Sequence, residues 1–171
     1  MRYLLLGASL TSALALSLAL SLSVGSAGSA GTSACTEAGL QGSFAEVEGS
    51  AGAGHIVYRL RLRNRTGATC QVPTHPALRL EGNHRHGLPT HPTFPSAHSP
   101  TFNISSHRAM IMRARFSPDI PSGGEPAHCE RVAHWLRVGL LAHGHITVPV
   151  EPPTRVCGHG AMEFSGLHQS S

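Results

Sequence analysis

The chain has no lysine and a single aspartate, Asp119, set between prolines. Its thirteen basic residues are therefore all arginine, and with nine acids they give a formal charge of +4. Aromatic residues make up only 5% of the chain, so a core must be built mainly from small aliphatics and methionine. The same scarcity argues against nucleic-acid binding, because no aromatics are interleaved with the arginines to stack on bases. Three signatures are missing: the G-x-S-x-G elbow, H-E-x-x-H, and the phosphate-binding G-x-x-x-x-G-K. A Ser-His-carboxylate triad is a spatial feature, so a hydrolase stays as a minor alternative to a non-enzymatic reading. No segment has convincing helical periodicity, no internal repeat is present, and no cofactor is implied.

One long apolar run exists, and it lies at the front. Met1-Arg2-Tyr3 gives a short positive start. Leu, Ala and Ser then run from Leu4 to about Val24, and small residues follow from Gly25 to Ala30. This is the pattern of a cleaved secretory signal peptide over residues 1–30, which leaves no stable transmembrane segment after processing. A retained anchor is the competing reading, since the run is nearly long enough to span a bilayer. A lipid anchor on Cys35 is a third. Thr32 stands where such a site usually has Leu, and lipidation would strand one of the other cysteines. The four cysteines, Cys35, Cys70, Cys129 and Cys157, all lie beyond the signal, and four make two disulfides in an oxidising compartment. The expected location is extracellular.

The mature part is organised around Gly52 to Cys70, GAGHIVYRLRLRNRTGATC. Ile56, Tyr58, Leu60 and Leu62 occupy every second position, with Arg59, Arg61, Arg63 and Arg65 between and just beyond them. Period-two alternation predicts a strand with one face in a core and the other in water. Similar alternation predicts strands at Pro76–Glu81, Arg108–Phe116, Val132–Leu141 and Ile146–Val150. Leu40–Val47 reads as a first, edge strand, and Thr101–Ser105 as a brief one. Glu151-Pro152-Pro153 is expected to break its strand, Met162 and Phe164 to mark the last one, and the tail from Gly166 to be polar. The proline-rich Glu81–Pro100 stretch reads as loop or edge structure. The sum is an all-β chain of about seven or eight short strands. It is read as an immunoglobulin-like β-sandwich over residues 40–171, with residues 31–39 as a lead-in. In such a sandwich the start of the first strand lies near the end of its antiparallel neighbour, which predicts Cys35–Cys70. Three successive antiparallel strands place the starts of the first and third together, which predicts Cys129–Cys157. Four cysteines permit three connectivities.

The order of these features resembles a known family. A signal is followed by Cys35, a Gly-Ala-Gly-His strand, and Asn64-x-Thr66-Gly67-x-Thr69-Cys70. Pro76-Ala77-Leu78, a third cysteine, a Leu-x-Val strand and a last cysteine come after. This is similar to the actinobacterial secreted domain of unknown function DUF 4232, from about Cys35 to Phe164. The resemblance implies an extracytoplasmic, immunoglobulin-like sandwich with no established activity. Thr74-His75 departs from it, standing where the family favours Gly-Tyr before proline.

Two sets of residues are candidates for binding. His84, His86, His91 and His98 share the irregular segment, and His84 and His86 form an H-x-H pair whose rings fall on one side of an extended chain. Imidazoles suit Zn, Cu and Ni, so these four are the candidate ligands of a transition metal. His143-Gly144-His145 is a second such pair. The other set is the stripe Arg59, Arg61, Arg63 and Arg65, with Arg113 and Arg115 on another strand. A basic stripe suits an anionic cell-wall polymer, unless Glu46 or Glu48 neutralises it. Asn64-Arg65-Thr66 and Asn103-Ile104-Ser105 also match the N-glycosylation acceptor, read here as coincidence. The expected function is a secreted, non-enzymatic binding or structural module, with an anionic wall polymer or an envelope protein as partner.

Overall fold

The organising stretch forms the strand its alternation predicts. Ile56–Asn64 carries Tyr58 and Leu60 fully buried on one side, while Arg59 and Arg63 face solvent. The computed structural model describes residues 31–118 and 129–170. The expected signal peptide and most of the long connection before Cys129 lie outside the described residues. Among those described, the strands are β1 (Ser33–Ala34), β2 (Leu40–Glu46), β3 (Ile56–Asn64), β4 (Cys70–Pro73), β5 (Leu78–Glu81) and β6 (His91–Thr93). They continue with β7 (Thr101–Ile104), β8 (Ala109–Phe116), β9 (Ala133–Gly139), β10 (His145–Thr154), β11 (Ala161–Phe164) and β12 (His168–Ser170). Among the described residues the chain is almost entirely strand, in two sheets, with only a 3-10 turn at Leu141–His143 and a helical turn at Cys157–Gly160 besides. A small sheet runs β1-β4-β7, and a large one runs β5-β9-β10-β2-β3-β8-β11-β6, with β12 also on β8. No helix among the described residues is long and apolar enough to cross a membrane.

The centre of the core is a row of three aromatics from adjacent strands. Tyr58 sits between Phe44 and Phe116, each ring centroid 5.2 Å away in tilted contact. Its hydroxyl donates to the Pro152 carbonyl at 2.7 Å, so the one polar atom of the row is satisfied. Methionines fill the space around the row; Met110, Met112 and Met162 are all buried. Gly42 lets β10 close over β2 and β3. A methyl group there would overlap a Val148 methyl and crowd Leu62 and Ile146.

The turn after β3 is built by Asn64. Its side chain is fully buried. Nδ2 donates to the carbonyls of Ala68 at 2.7 Å and Ile104 at 3.0 Å. Oδ1 accepts from the Thr66 backbone N–H at 2.9 Å and the Thr66 hydroxyl at 2.7 Å. Asn64-x-Thr66 is thus a structural device that ties β3 to β7, and the amide a glycan would need is committed inside the fold.

Both disulfides join the expected partners, Cys35–Cys70 and Cys129–Cys157. The strand order behind the second differs from the expected three-strand meander. β10 returns antiparallel to β9, but β11 pairs with β8 and β6 rather than beside β10.

Four local expectations are corrected. β2 is an interior strand, antiparallel to β3 and parallel to β10 through Val150↔Phe44 and Glu151↔Ala45. Its inward Gly42 makes room for the Val148 side chain of β10, a role that mixed hydropathy hides. β10 continues through Pro152 and Pro153 to Thr154. The prolines lie where the register with β9 shifts between Pro149 and Thr154, so their missing N–H groups cost no regular ladder bond. The polar tail pairs, as β12, with β8 through its backbone. The strands number twelve among the described residues, because two- to four-residue strands are too short to alternate visibly.

Candidate anion-binding face

Alternation along β3 sends its arginines to the outer face, and antiparallel pairing sets those of β8 beside them. Arg59 is paired with Arg113, Val57 with Arg115, Arg61 with Ile111 and Arg63 with Ala109. Five arginines thus share one face of two neighbouring strands. On β3 they recur every second residue, a spacing of about 6.4–6.8 Å at ordinary strand rise. Arg59 and Arg113 stand directly opposite each other, a placement that is unfavourable for like charges.

Little on the face offsets that charge. Arg115 makes one exposed ion pair, 4.0 Å from Glu163 on β11. Among the described residues Glu46 and Glu48 form no ion pair with the stripe. Glu46 instead faces Tyr58 in the register. Beyond the end of β3, Arg65 is exposed and its backbone N–H donates to the Gly39 carbonyl at 2.8 Å. Arg63, Arg65, Gln41 and His107 line a shallow cleft of about 330 Å³, where Arg63 Nε donates to the His107 carbonyl at 3.4 Å. His107 has φ 59°, the left-handed region that costs most residues energy. Gln41 and His107 were not legible as neighbours of the stripe, because only the β2–β3 register and the turn before β8 bring them there.

The four candidate metal ligands are dispersed. His84 and His86 sit in the turn after β5, where the His86 ring packs against Gly82 and Gly82 N–H donates to the His86 carbonyl at 2.9 Å. His91 lies on β6 and lines a different cleft with His55 and Glu163. His98 lies near His75, whose ring stacks on Phe94 at 4.9 Å and whose Nε2 is 2.9 Å from the Pro95 carbonyl. Among the described residues no three His, Cys, Asp or Glu side chains gather to hold a metal. His75 anchors the proline-rich loop: Phe94 stacks in turn on Phe164 at 5.2 Å.

These features define a disulfide-stapled, two-sheet β domain with an arginine-rich outer face. Residues 35–163 match the model of a domain of unknown function, DUF4232, and the chain belongs to that family. No curated protein and no solved structure matches the chain.

Proposed function

We propose that the protein is an extracytoplasmic, non-enzymatic binding module that holds an anionic envelope polymer along the β3–β8 face. The observation that carries this reading is the Arg59–Arg113 cross-strand pair, flanked by Arg61 and Arg63. An arrangement that is unfavourable in the unliganded domain becomes favourable when phosphates or carboxylates lie between the guanidinium groups, which bind such groups in a two-pronged fashion. Regular spacing along β3 suits a linear polymer with one charge per short monomer. Two disulfides support an oxidising compartment, as does the apolar run from Leu4 to Val24. The immunoglobulin-like description of the sandwich belongs to the same proposal.

The test is retention by poly(glycerol phosphate) at increasing salt. The logarithm of the binding constant should fall linearly with the logarithm of salt concentration, and each arginine replaced by glutamine should reduce the slope by about one. Equal retention of the protein and of a variant combining Arg59→Gln, Arg61→Gln, Arg63→Gln and Arg113→Gln would remove the proposal.

A further inference from the structure

A second arginine pair occupies the other end of the large sheet. Arg79 on β5 is paired directly with Arg137 on β9. Both line a cleft of about 350 Å³ with His143 and His145, and the rest of its wall is Ala77, Leu78, Gly139 and Gly144. No acidic side chain lines it. The nearest carboxylate along β5 is Glu81, two residues on, and it is taken by Arg85 at 3.7 Å. Arg85 is itself held over the Trp135 ring at 3.7 Å. Among the described residues neither Arg79 nor Arg137 has an ion-pair partner.

The donors of this cleft are held in place. The Arg79 guanidinium packs against Gly87, where any side chain would overlap it. Gly87 is itself fixed by a bridge to Glu81 and by the bond from Leu88 N–H to the Leu80 carbonyl at 2.8 Å. Arg137 Nη2 lies 3.2 Å from His145 Nδ1. A guanidinium has no acceptor, so Nδ1 accepts and the neutral ring carries its proton on Nε2. His143 reaches the cleft from a turn in which Ala142 and His143 both have left-handed backbone, with φ 56° and 64°. Such strain persists only where the surrounding structure enforces it. The cleft is therefore lined by two arginines and two histidines, with no carboxylate among its lining residues.

We infer that this cleft is a phosphate-binding site, distinct from the β3–β8 arginine face and independent of it. Guanidinium forks match the oxygens of a tetrahedral phosphate. The phosphate is free in solution or carried as a monoester on a polyol or sugar. The two sources share the chemistry at the protein and differ in what projects beyond it.

The experiment is a calorimetric titration of the purified protein with inorganic phosphate and, separately, with glycerol 1-phosphate. Saturable one-site binding is expected for at least one of them. Tighter binding of the ester assigns the site to an esterified phosphate, whereas equal or tighter binding of inorganic phosphate assigns it to the free ion. Arg137→Gln and Arg79→Gln should each weaken binding about tenfold or more, as expected for loss of charged hydrogen bonds. Arg61→Gln should leave it unchanged, which separates this site from the polymer face. A shift of the His145 Nε2 resonance in the unaltered protein gives a readout that does not depend on the variants folding. Absence of saturable binding for both ligands overturns the inference. So does phosphate binding that survives both substitutions without moving that resonance.

Discussion

Arg59 of β3 stands directly opposite Arg113 of β8, two like charges on neighbouring strands with no acidic residue between them in the register. Directly opposed like charges destabilise a sheet, so the sequence keeps a pair that packing alone would not select. The consequence is measurable without knowing any ligand. Arg113→Thr should stabilise the domain at low ionic strength by about 0.2–1 kcal/mol. The gain should shrink toward ~1 M salt, where charges are screened within about 3 Å. Urea unfolding at two salt concentrations checks it; a variant less stable than the parent at low salt would show that the pair is not repulsive.

Asn64 makes the opposite kind of contribution. Its buried amide ties the turn after β3 to β7, and truncation removes the partner of the Ile104 carbonyl and of the Thr66 N–H. Asn64→Ala should cost about 2–3 kcal/mol, the range for a buried polar group left unsatisfied together with the bonds lost. Chemical denaturation measures this. Asn64→Asp should also destabilise, since it removes both N–H donors and brings a charge into the core.

Tyr58 gives a pH signature. Burial, and then the Glu46 carboxylate, push its hydroxyl from 10.0 up to about 12, against a smaller opposing effect of the Thr154 hydroxyl. The folded state thus holds its proton between pH 10 and 12 while the unfolded state releases it. Linkage makes stability fall as pH rises through that window and leaves it unaffected by this group below it. Tyr58→Phe should flatten the fall and, at neutral pH, cost about 0.5–1.5 kcal/mol for the bond to Pro152. Absorbance titration of tyrosinate, with stability measured in parallel, reports both effects.

The Cys35–Cys70 disulfide closes a span of 35 residues. Replacing both cysteines by serine should cost about 3–4 kcal/mol in the chain-entropy account. A loss well below that, read from denaturant midpoints, would mean that the β1–β4 pairing already confines the unfolded chain.

The strands that were legible in the sequence are those long enough to alternate. β3, β8 and β9 each span seven residues or more, and their buried and exposed positions follow period two. β1, β4, β6 and β12 are shorter and pair through their backbones, which amino-acid identity does not encode. β2 was legible as a strand but not as an interior one, because Gly42 contributes by lacking a side chain. The arginines of the candidate face were visible one by one, but the register that sets Arg59 against Arg113, or Arg79 against Arg137, is a property of pairing between distant segments. The histidine grouping failed to assemble for the complementary reason. Closeness along a proline-rich loop does not place rings together when the loop is pinned at other points, as this one is by His75 and Phe94.

The central claim is that the β3–β8 face receives an anionic polymer. Its most direct test is to follow the arginine Nε–Hε resonances by NMR while poly(glycerol phosphate) is added. The account predicts saturable shifts at Arg59, Arg61, Arg63 and Arg113, reversed by salt. An absence of shifts, or shifts confined to arginines away from that face, would contradict it.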